Sequence, residues 1–381
     1  MSVTTYPKNK IELNDGMIVD RQNDLSLYHA NNDGKDFFQR KIRGLLLDKS
    51  SNVIMDCLPV PLELRIDDHM LDDILGDFTT VKISNAIEGT VIRVFNHNGE
   101  WIMSTSKKID ARNSFWGSRT SHGQMFTEAI VELYNTRSEF KNELDKHDSA
   151  DIINKFFNTL DTERKYVFLL SSNCENRIVC NGNSTSDIYF LGCMLNGEII
   201  LDIDTCPYFN RVETVSLQNI KELETHIQNI DIGKNQGVII QTREQDFIKV
   251  YNSEYKNRFD IRGNQSNLIY RYLELRRSEF LNRMLHDMYP LYVSKFEHCE
   301  KLLLGEIAND LSRLYTDRYI TKKPFETIEW YKHVILKTAH DWYQRSPKNN
   351  RVNIDIMRDI INEQQPNVLF KLVTSYSLEV L

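Results

Sequence analysis

The sequence predicts an α+β fold in which an antiparallel-sheet domain is followed by an all-helical one. Three observations predict it. Up to about residue 265, apolar residues alternate in short runs separated by Gly, Asn, Asp and Ser turns, which is the period of strands. From Leu268 onward the texture changes to amphipathic helices punctuated by Pro290, Pro324, Pro347 and Pro366. The chain has 381 residues, whereas single cores stop growing at about 250–300 residues. The expected divisions are an N-terminal extension over 1–36, the sheet domain over 37–265 and the helical domain over 266–381.

Residues 1–36 are polar, with Asn-Asp-Gly turns at 14–16 and 32–34, and read as partly irregular. An apolar run over 43–48, a Ser51-Asn52 turn and a return over 53–58 make a hairpin that Pro59 and Pro61 end. A strand over 81–88 follows, and its alternation puts Lys82, Ser84, Ala86 and Glu88 on one face. Residues 96–99 read as a hairpin turn, with 101–104 returning antiparallel. That strand is expected to carry on through the hydroxyls and ammonium groups of Ser104, Thr105, Ser106, Lys107 and Lys108.

Helical spacing marks 126–144 and 149–160. Strands are expected at 166–170, 177–180, 188–194 and 198–203, then a short helix over 217–228. A last hairpin pairs 237–241 with 246–251 across Arg243-Glu244-Gln245. In the helical domain one long helix is expected over 270–288, with further helices at 291–317, 324–344, 353–363 and 366–376. Trp330, Val334, Lys337 and Asp341 mark a mixed face of a packing helix.

The composition is that of a soluble protein: 41% of residues are hydrophobic and 27% charged. No apolar run approaches the ~18 residues of a membrane span, and MSVTTYPKNK has no signal-peptide core. A cytoplasmic, intracellular protein without a membrane partner is expected. The six cysteines form no CxxC pair, which argues for free thiols over a zinc site or disulfide framework. A net charge of −7 argues against nonspecific coating of nucleic acid. A nucleic-acid partner would need a local basic groove.

Lys249 stands out among the candidate residues, because it sits between Ile248 and Val250 with Phe247 and Tyr251 alongside. A lysine on a strand face among bulky apolar neighbours needs a reason. Arg177 reads as a nucleotide contact or as an ion-pair partner of Glu175.

Five segments in order resemble the covalent nucleotidyltransferases, most closely ATP-dependent RNA ligases of the phage RNA ligase 1 type. Arg43-Gly44-Leu45-Leu46-Leu47-Asp48 with Asn52-Val53 resembles that family's opening hairpin, and Ala86-Ile87-Glu88-Gly89-Thr90 its motif of lysine, any residue, acid, glycine. Ser104 to Lys108 resembles the Ser/Lys strand that follows. Tyr166-Val167-Phe168 with Glu175-Asn176-Arg177-Ile178-Val179 resembles the segment around base and ribose. Gln236-Gly237-Val238-Ile239 and Phe247-Ile248-Lys249-Val250 resemble the closing hairpin, and Ser253-Glu254-Tyr255 continues the match. The likeness covers residues 37–262.

The resemblance implies an adenylyltransferase-like sheet domain, ATP and Mg2+ as cofactors, and RNA ends as partners. In that family a lysine amine attacks the α-phosphorus of ATP, and the AMP then passes to an RNA 5′-phosphate. The resemblance implies nucleotide contacts at Glu88, Gly89, Arg93, Arg177 and Lys249, with Glu88 holding ribose or metal and the lysines contacting phosphate. The family's nucleophilic lysine is replaced by Ala86, its next acids by Leu169 and Gln236, and its last lysine by Tyr251. A methyl group cannot attack phosphorus.

Two expectations follow. Either the chain binds nucleotide and RNA ends without forming lysyl-AMP, as a pseudoenzyme, or Lys107 or Lys108 is a migrated nucleophile. The alternative is an inactive RNA- or protein-binding scaffold that retains the ligase fold. Such divergent copies are expected in large DNA viruses.

Overall fold

The computed structural model describes residues 17–29, 42–56, 58, 60–66, 71, 75, 78–136, 149–200, 209–242, 246–324, 327–346 and 351–377. The expected turns at 14–16 and 32–34, much of the helix 126–144, the end of the strand 198–203 and the turn 243–245 lie outside them. Contacts divide the chain into two units, Met1–Asn257 and Arg258–Leu381.

Among the described residues, the first unit is built on three sheets. Strands β1 (Ile18–Gln22), β2 (Leu25–Tyr28), β3 (Leu45–Leu47) and β4 (Val53–Met55) form a four-stranded antiparallel sheet in that order. The expected hairpin 43–58 is therefore present, but two more strands stand where the sequence suggested an irregular extension. They form because Leu25 and Leu27 alternate inward and bury against Phe95 and Val167. Asn23, at φ 55°, makes the turn between them.

Strands β5 (Leu62–Leu64), β6 (Lys82–Ala86), β7 (Gly89–His97), β8 (Glu100–Ser104), β9 (Lys165–Ser171), β10 (Ile188–Leu195), β11 (Glu198–Ile200), β12 (Thr214–Val215), β13 (Gly237–Gln241) and β14 (Phe247–Tyr251) make the other two sheets. The second runs β11-β10-β9-β7-β8 and the third β12-β6-β13-β14-β5. All pairs are antiparallel except β14 with β5. Alternation in the second sheet fills both its faces. Ile92, Val94, Phe168 and Leu170 pack with residues of helices α1 (His122–Thr136) and α2 (Ser149–Asn158), while Phe95 and Val167 meet the first sheet. The third sheet turns Ile83, Val238, Ile240, Ile248 and Val250 toward Leu223 and Ile227 of α3 (Ile220–Gln228).

The stretch 81–104 is not one sheet. Strand β6 belongs to the third sheet and β7 to the second, so Ile87-Glu88 is the crossing between them. Two glycines allow close backbone approach nearby. A Cβ on Gly89 would stand 2.2 Å from the Leu170 carbonyl oxygen. Gly237, at φ 154°, would place one 2.0 Å from the Val250 carbonyl oxygen.

Helix α4 (Ser253–Arg262) is capped by Asn252, whose side chain accepts from the Glu254 and Tyr255 amides. In the second unit the expected helix 270–288 is two helices, α5 (Leu268–Leu275) and α6 (Glu279–Met288). The break has a local cause. Ser278 caps α6 through the Leu281 amide, and Arg276 is drawn to Glu300 and Asn362.

Helix α7 (Val293–Lys301) continues through a wide π turn (Leu302–Ile307) into α8 (Ala308–Tyr315) and a second one (Thr316–Ile320). Helices α9 (Trp330–Arg345), α10 (Ile354–Asn362) and α11 (Pro366–Tyr376) complete the unit. Helix α9 buries Tyr331, Ile335, Leu336 and Ala339 and leaves Trp330 and Val334 exposed. No helix among the described residues is long and apolar enough to cross a membrane.

Candidate functional site

The crossing between sheets fixes the Glu88 carboxylate. It accepts from the Ile178 amide, from the Val179 and Cys180 amides at 2.8 and 3.1 Å, and from the Tyr255 hydroxyl at 2.9 Å. The Glu88 side chain is 3% exposed, so these donors replace water entirely. They also explain why 177–180 is not the expected strand: three successive amides turn onto one carboxylate instead of onto a neighbouring strand. Arg177 folds back over this turn and donates to the Val179 and Cys180 carbonyls.

Arg93 is buried at the junction of the first two sheets, where its guanidinium donates to the Gly44 and Thr105 carbonyls. Only Ser104 of the expected Ser/Lys strand is in β8. Thr105 to Lys108 is a turn, in which the Thr105 hydroxyl accepts from the Lys107 and Lys108 amides. The Lys108 ammonium lies 3.6 Å from Asp20. Lys107 is exposed; burial first, then the Arg43 charge and more weakly that of Lys107, hold the His29 imidazole down at about 4.

Lys249 is in different company. The ladder sets Ser84, Ile239, Lys249 and Glu63 in one row across β6, β13, β14 and β5, and Ala86, Gly237 and Tyr251 in the next. Both rows lie on the face opposite the apolar core, because Ile83, Val238, Ile248 and Val250 occupy the other. The Lys249 ammonium sits 4.5 Å from the Tyr251 ring centroid, and that of Lys256 5.6 Å from the same ring. The Tyr251 hydroxyl donates to Glu63 at 2.6 Å, and the ring stacks on Tyr255 at 5.8 Å and 3°.

Burial pulls the Lys249 ammonium from its ordinary 10.5 down to about 8, with Lys256 acting in the same direction. The Glu63 and Glu88 carboxylates and the Cys180 thiol oppose it. Burial also pushes the Cys180 thiol and the Tyr255 hydroxyl well above their usual ranges, with the nearby Glu88 carboxylate adding to both.

Of the residues singled out in sequence, the structure thus brings Glu88, Arg177 and Lys249 to one neighbourhood. It places Arg93, Lys107 and Lys108 in another, against the first sheet. Gly89 serves the close approach of β7 to β9. Sequence reasoning missed Glu63, Lys256 and the Tyr251–Tyr255 stack as parts of the site. The spacing of two tyrosines four apart across a helix cap was the only signal for the stack. The Gln236 side-chain amide donates to the Ile87 carbonyl at 3.0 Å, which a carboxylate at that position could not do.

A metal fits this neighbourhood poorly. Among the described residues no three His, Cys, Asp or Glu side chains are arranged to hold an ion. The donors around Glu88 suit an anchored carboxylate, since a cation there would face the positive ends of three N–H dipoles.

No family model matches the chain. It is similar to the immediate-early protein ICP-46 homolog of Invertebrate iridescent virus 6, at 25% identity over 377 residues, covering 92% of this chain and 80% of that protein. The homolog of Invertebrate iridescent virus 3 is 24% identical over 236 residues, and immediate-early protein ICP-46 of Frog virus 3 (isolate Goorha) is 23% identical over 282. The chain spans 47% and 64% of their respective lengths. Among solved structures, an archaeal ATP-dependent RNA ligase shares 11% identity at a TM-score of 0.39, covering 70% of this chain and 64% of that one. A putative ATP-dependent DNA ligase from Aquifex aeolicus shares 14% at 0.40, covering 90% and 93%.

Proposed function

We propose that the first unit is a divergent RNA ligase-like nucleotidyltransferase module that binds an adenine nucleotide and RNA ends, with no lysyl-AMP formed at position 86. The observation that carries this reading is the placement of Lys249. Its ammonium lies on the sheet face that carries Ala86 and Gly237, with Lys256 close by and the Tyr251 ring beneath. Two amines over an aromatic floor suit phosphate oxygens, and the motif order around them supports a nucleotide as the phosphate's source. Glu88 belongs to this reading as the anchor of the turn 178–180, on which Arg177 is positioned. Mg2+ enters it only as the counter-ion that ATP carries on its own phosphates, and no step is assigned to a protein-held metal. The similarity to viral immediate-early proteins supports a viral setting for the chain.

Calorimetric titration of the full chain with ATP in Mg2+, repeated with GTP and with a 5′-phosphorylated RNA, tests the reading. Saturable ATP binding that weakens at least about tenfold in Lys249→Met is expected, since a charge-assisted phosphate contact contributes about 1.5–3 kcal/mol. Absence of binding to both ATP and the RNA end would leave an inert scaffold.

A further inference from the structure

We propose that the second unit carries a stacking platform for single-stranded nucleic acid, built on α9 and the π turn that follows α8. Bases stack on its aromatic rings, and the phosphates between them meet the cations around those rings. The platform requires neither a 5′-phosphate nor a nucleotide at Lys249.

Its core is a column of rings that runs from the interior of the unit to its surface. Tyr315, the last residue of α8, is 1% exposed and roots the column. The Tyr319 ring lies 5.0 Å from it between centroids, and His340 of α9 stacks on Tyr319 at 4.2 Å and 15°. Tyr343 follows at 6.3 Å and 23° from His340 and is 40% exposed. The wide turn over Thr316–Ile320 supplies Tyr319 and leaves the neighbouring Ile320 58% exposed.

His340 is held so that its faces, not its edges, are on offer. The Gln344 side-chain nitrogen can only donate, so at 3.0 Å it donates to His340 Nε2. The imidazole proton is then on Nδ1, directed at the Tyr315 hydroxyl at 3.4 Å. Both ring nitrogens are engaged within the unit. A platform of faces tolerates any sequence, because every base has a π face.

The charges around the column favour a polyanion. The Arg318 guanidinium stands 5.5 Å from the Tyr319 ring centroid. Lys337 is exposed three residues before His340, on the same side of α9. Among the described residues of 316–345, Asp317 is held by Lys323 at 2.6 Å and Glu329 by Lys332 at 3.1 Å. That leaves Asp341 against Arg318, Lys322, Lys337 and Arg345. An acidic peptide matches the charge but brings no series of planar rings, whereas a single strand brings one ring with each phosphate.

The test measures anisotropy of a dye-labelled, 5′-hydroxyl RNA strand of about 12 nucleotides with the full chain, beside a duplex of the same sequence and a parallel ATP titration. The 5′-hydroxyl removes any phosphorylated end. Preference for the single strand is expected, weakening about 5- to 100-fold in Tyr343→Ala, the loss of one stacked base, and retained in Tyr343→Phe. Lys337→Gln should flatten the salt dependence by about 0.7 in log–log slope, one phosphate contact. Cross-linking of a 4-thiouridine strand to the wild-type chain, which needs no variant to fold, should map to peptides holding Tyr319, His340 or Tyr343. Wild-type affinity in Tyr343→Ala, or cross-links confined to other segments, overturns the platform. So does absence of strand binding, which leaves the column to a protein partner or to packing. Strand failure with saturable ATP binding leaves the nucleotide reading standing, and strand binding without ATP binding does the reverse.

Discussion

Glu88 and Lys249 are close enough to influence each other's charge, yet the two regions they occupy are built on opposite principles. The crossing at Glu88 surrounds a carboxylate with three amides and a tyrosine hydroxyl. The face at Lys249 surrounds an ammonium with apolar strand, aromatic ring and a second cation, so burial outweighs its carboxylate neighbours. A saturated buried charge holds a fold together, whereas an under-compensated one is available for a ligand or for chemistry. On the proposed reading Glu88 is a structural anchor and Lys249 the group that meets the nucleotide.

Four changes would break or sharpen the contrast. Glu88→Ala should have the largest effect, about 3–5 kcal/mol of destabilisation, because it strands buried donors without an acceptor. Urea unfolding checks this, and an unchanged midpoint with lost ATP binding would reverse the roles assigned to the two regions. Arg93→Met should cost about 2–3 kcal/mol by the same measurement, since the Gly44 and Thr105 carbonyls lose charge-assisted donors. Lys249→Met should leave the fold at least as stable as wild type near neutral pH, because it removes a charge that burial disfavours, while abolishing most ATP affinity.

The fourth effect is one of pH. The Lys249 ammonium titrates at about 8 in the fold and at 10.5 when exposed. Between those values the unfolded chain holds a proton that the folded chain has released, so this group makes stability rise with pH across that window. The difference in unfolding free energy between wild type and Lys249→Met should grow from pH 8 to 10.5 in favour of wild type, and flatten outside it.

Much of the sheet framework was legible. The hairpins at Leu45–Leu47 with Val53–Met55 and at Gly237–Gln241 with Phe247–Tyr251 announce themselves by alternation. Lys249 was legible as a charge between two core valine- and isoleucine-type positions. The use of Glu88 was not, because its partners are backbone amides about ninety residues away that carry no side-chain signature. For the same reason 177–180 looked like a strand. The continuation of β8 through Lys108 failed because Thr105 closes a turn with its own hydroxyl, a local bond that competes with the ladder. The single helix over 270–288 failed because Ser278 reads equally well inside a helix and at its start.

The contrast is tested most directly by titrating the lysine side chains of the full chain, 13Cε-labelled, by NMR with and without ATP, using Lys249→Arg to assign the signal. The account predicts that Lys249 titrates near 8 in the free protein and moves upward when nucleotide phosphate supplies the missing negative charge. A Lys249 signal that titrates at its ordinary 10.5, unmoved by saturating ATP, would contradict it.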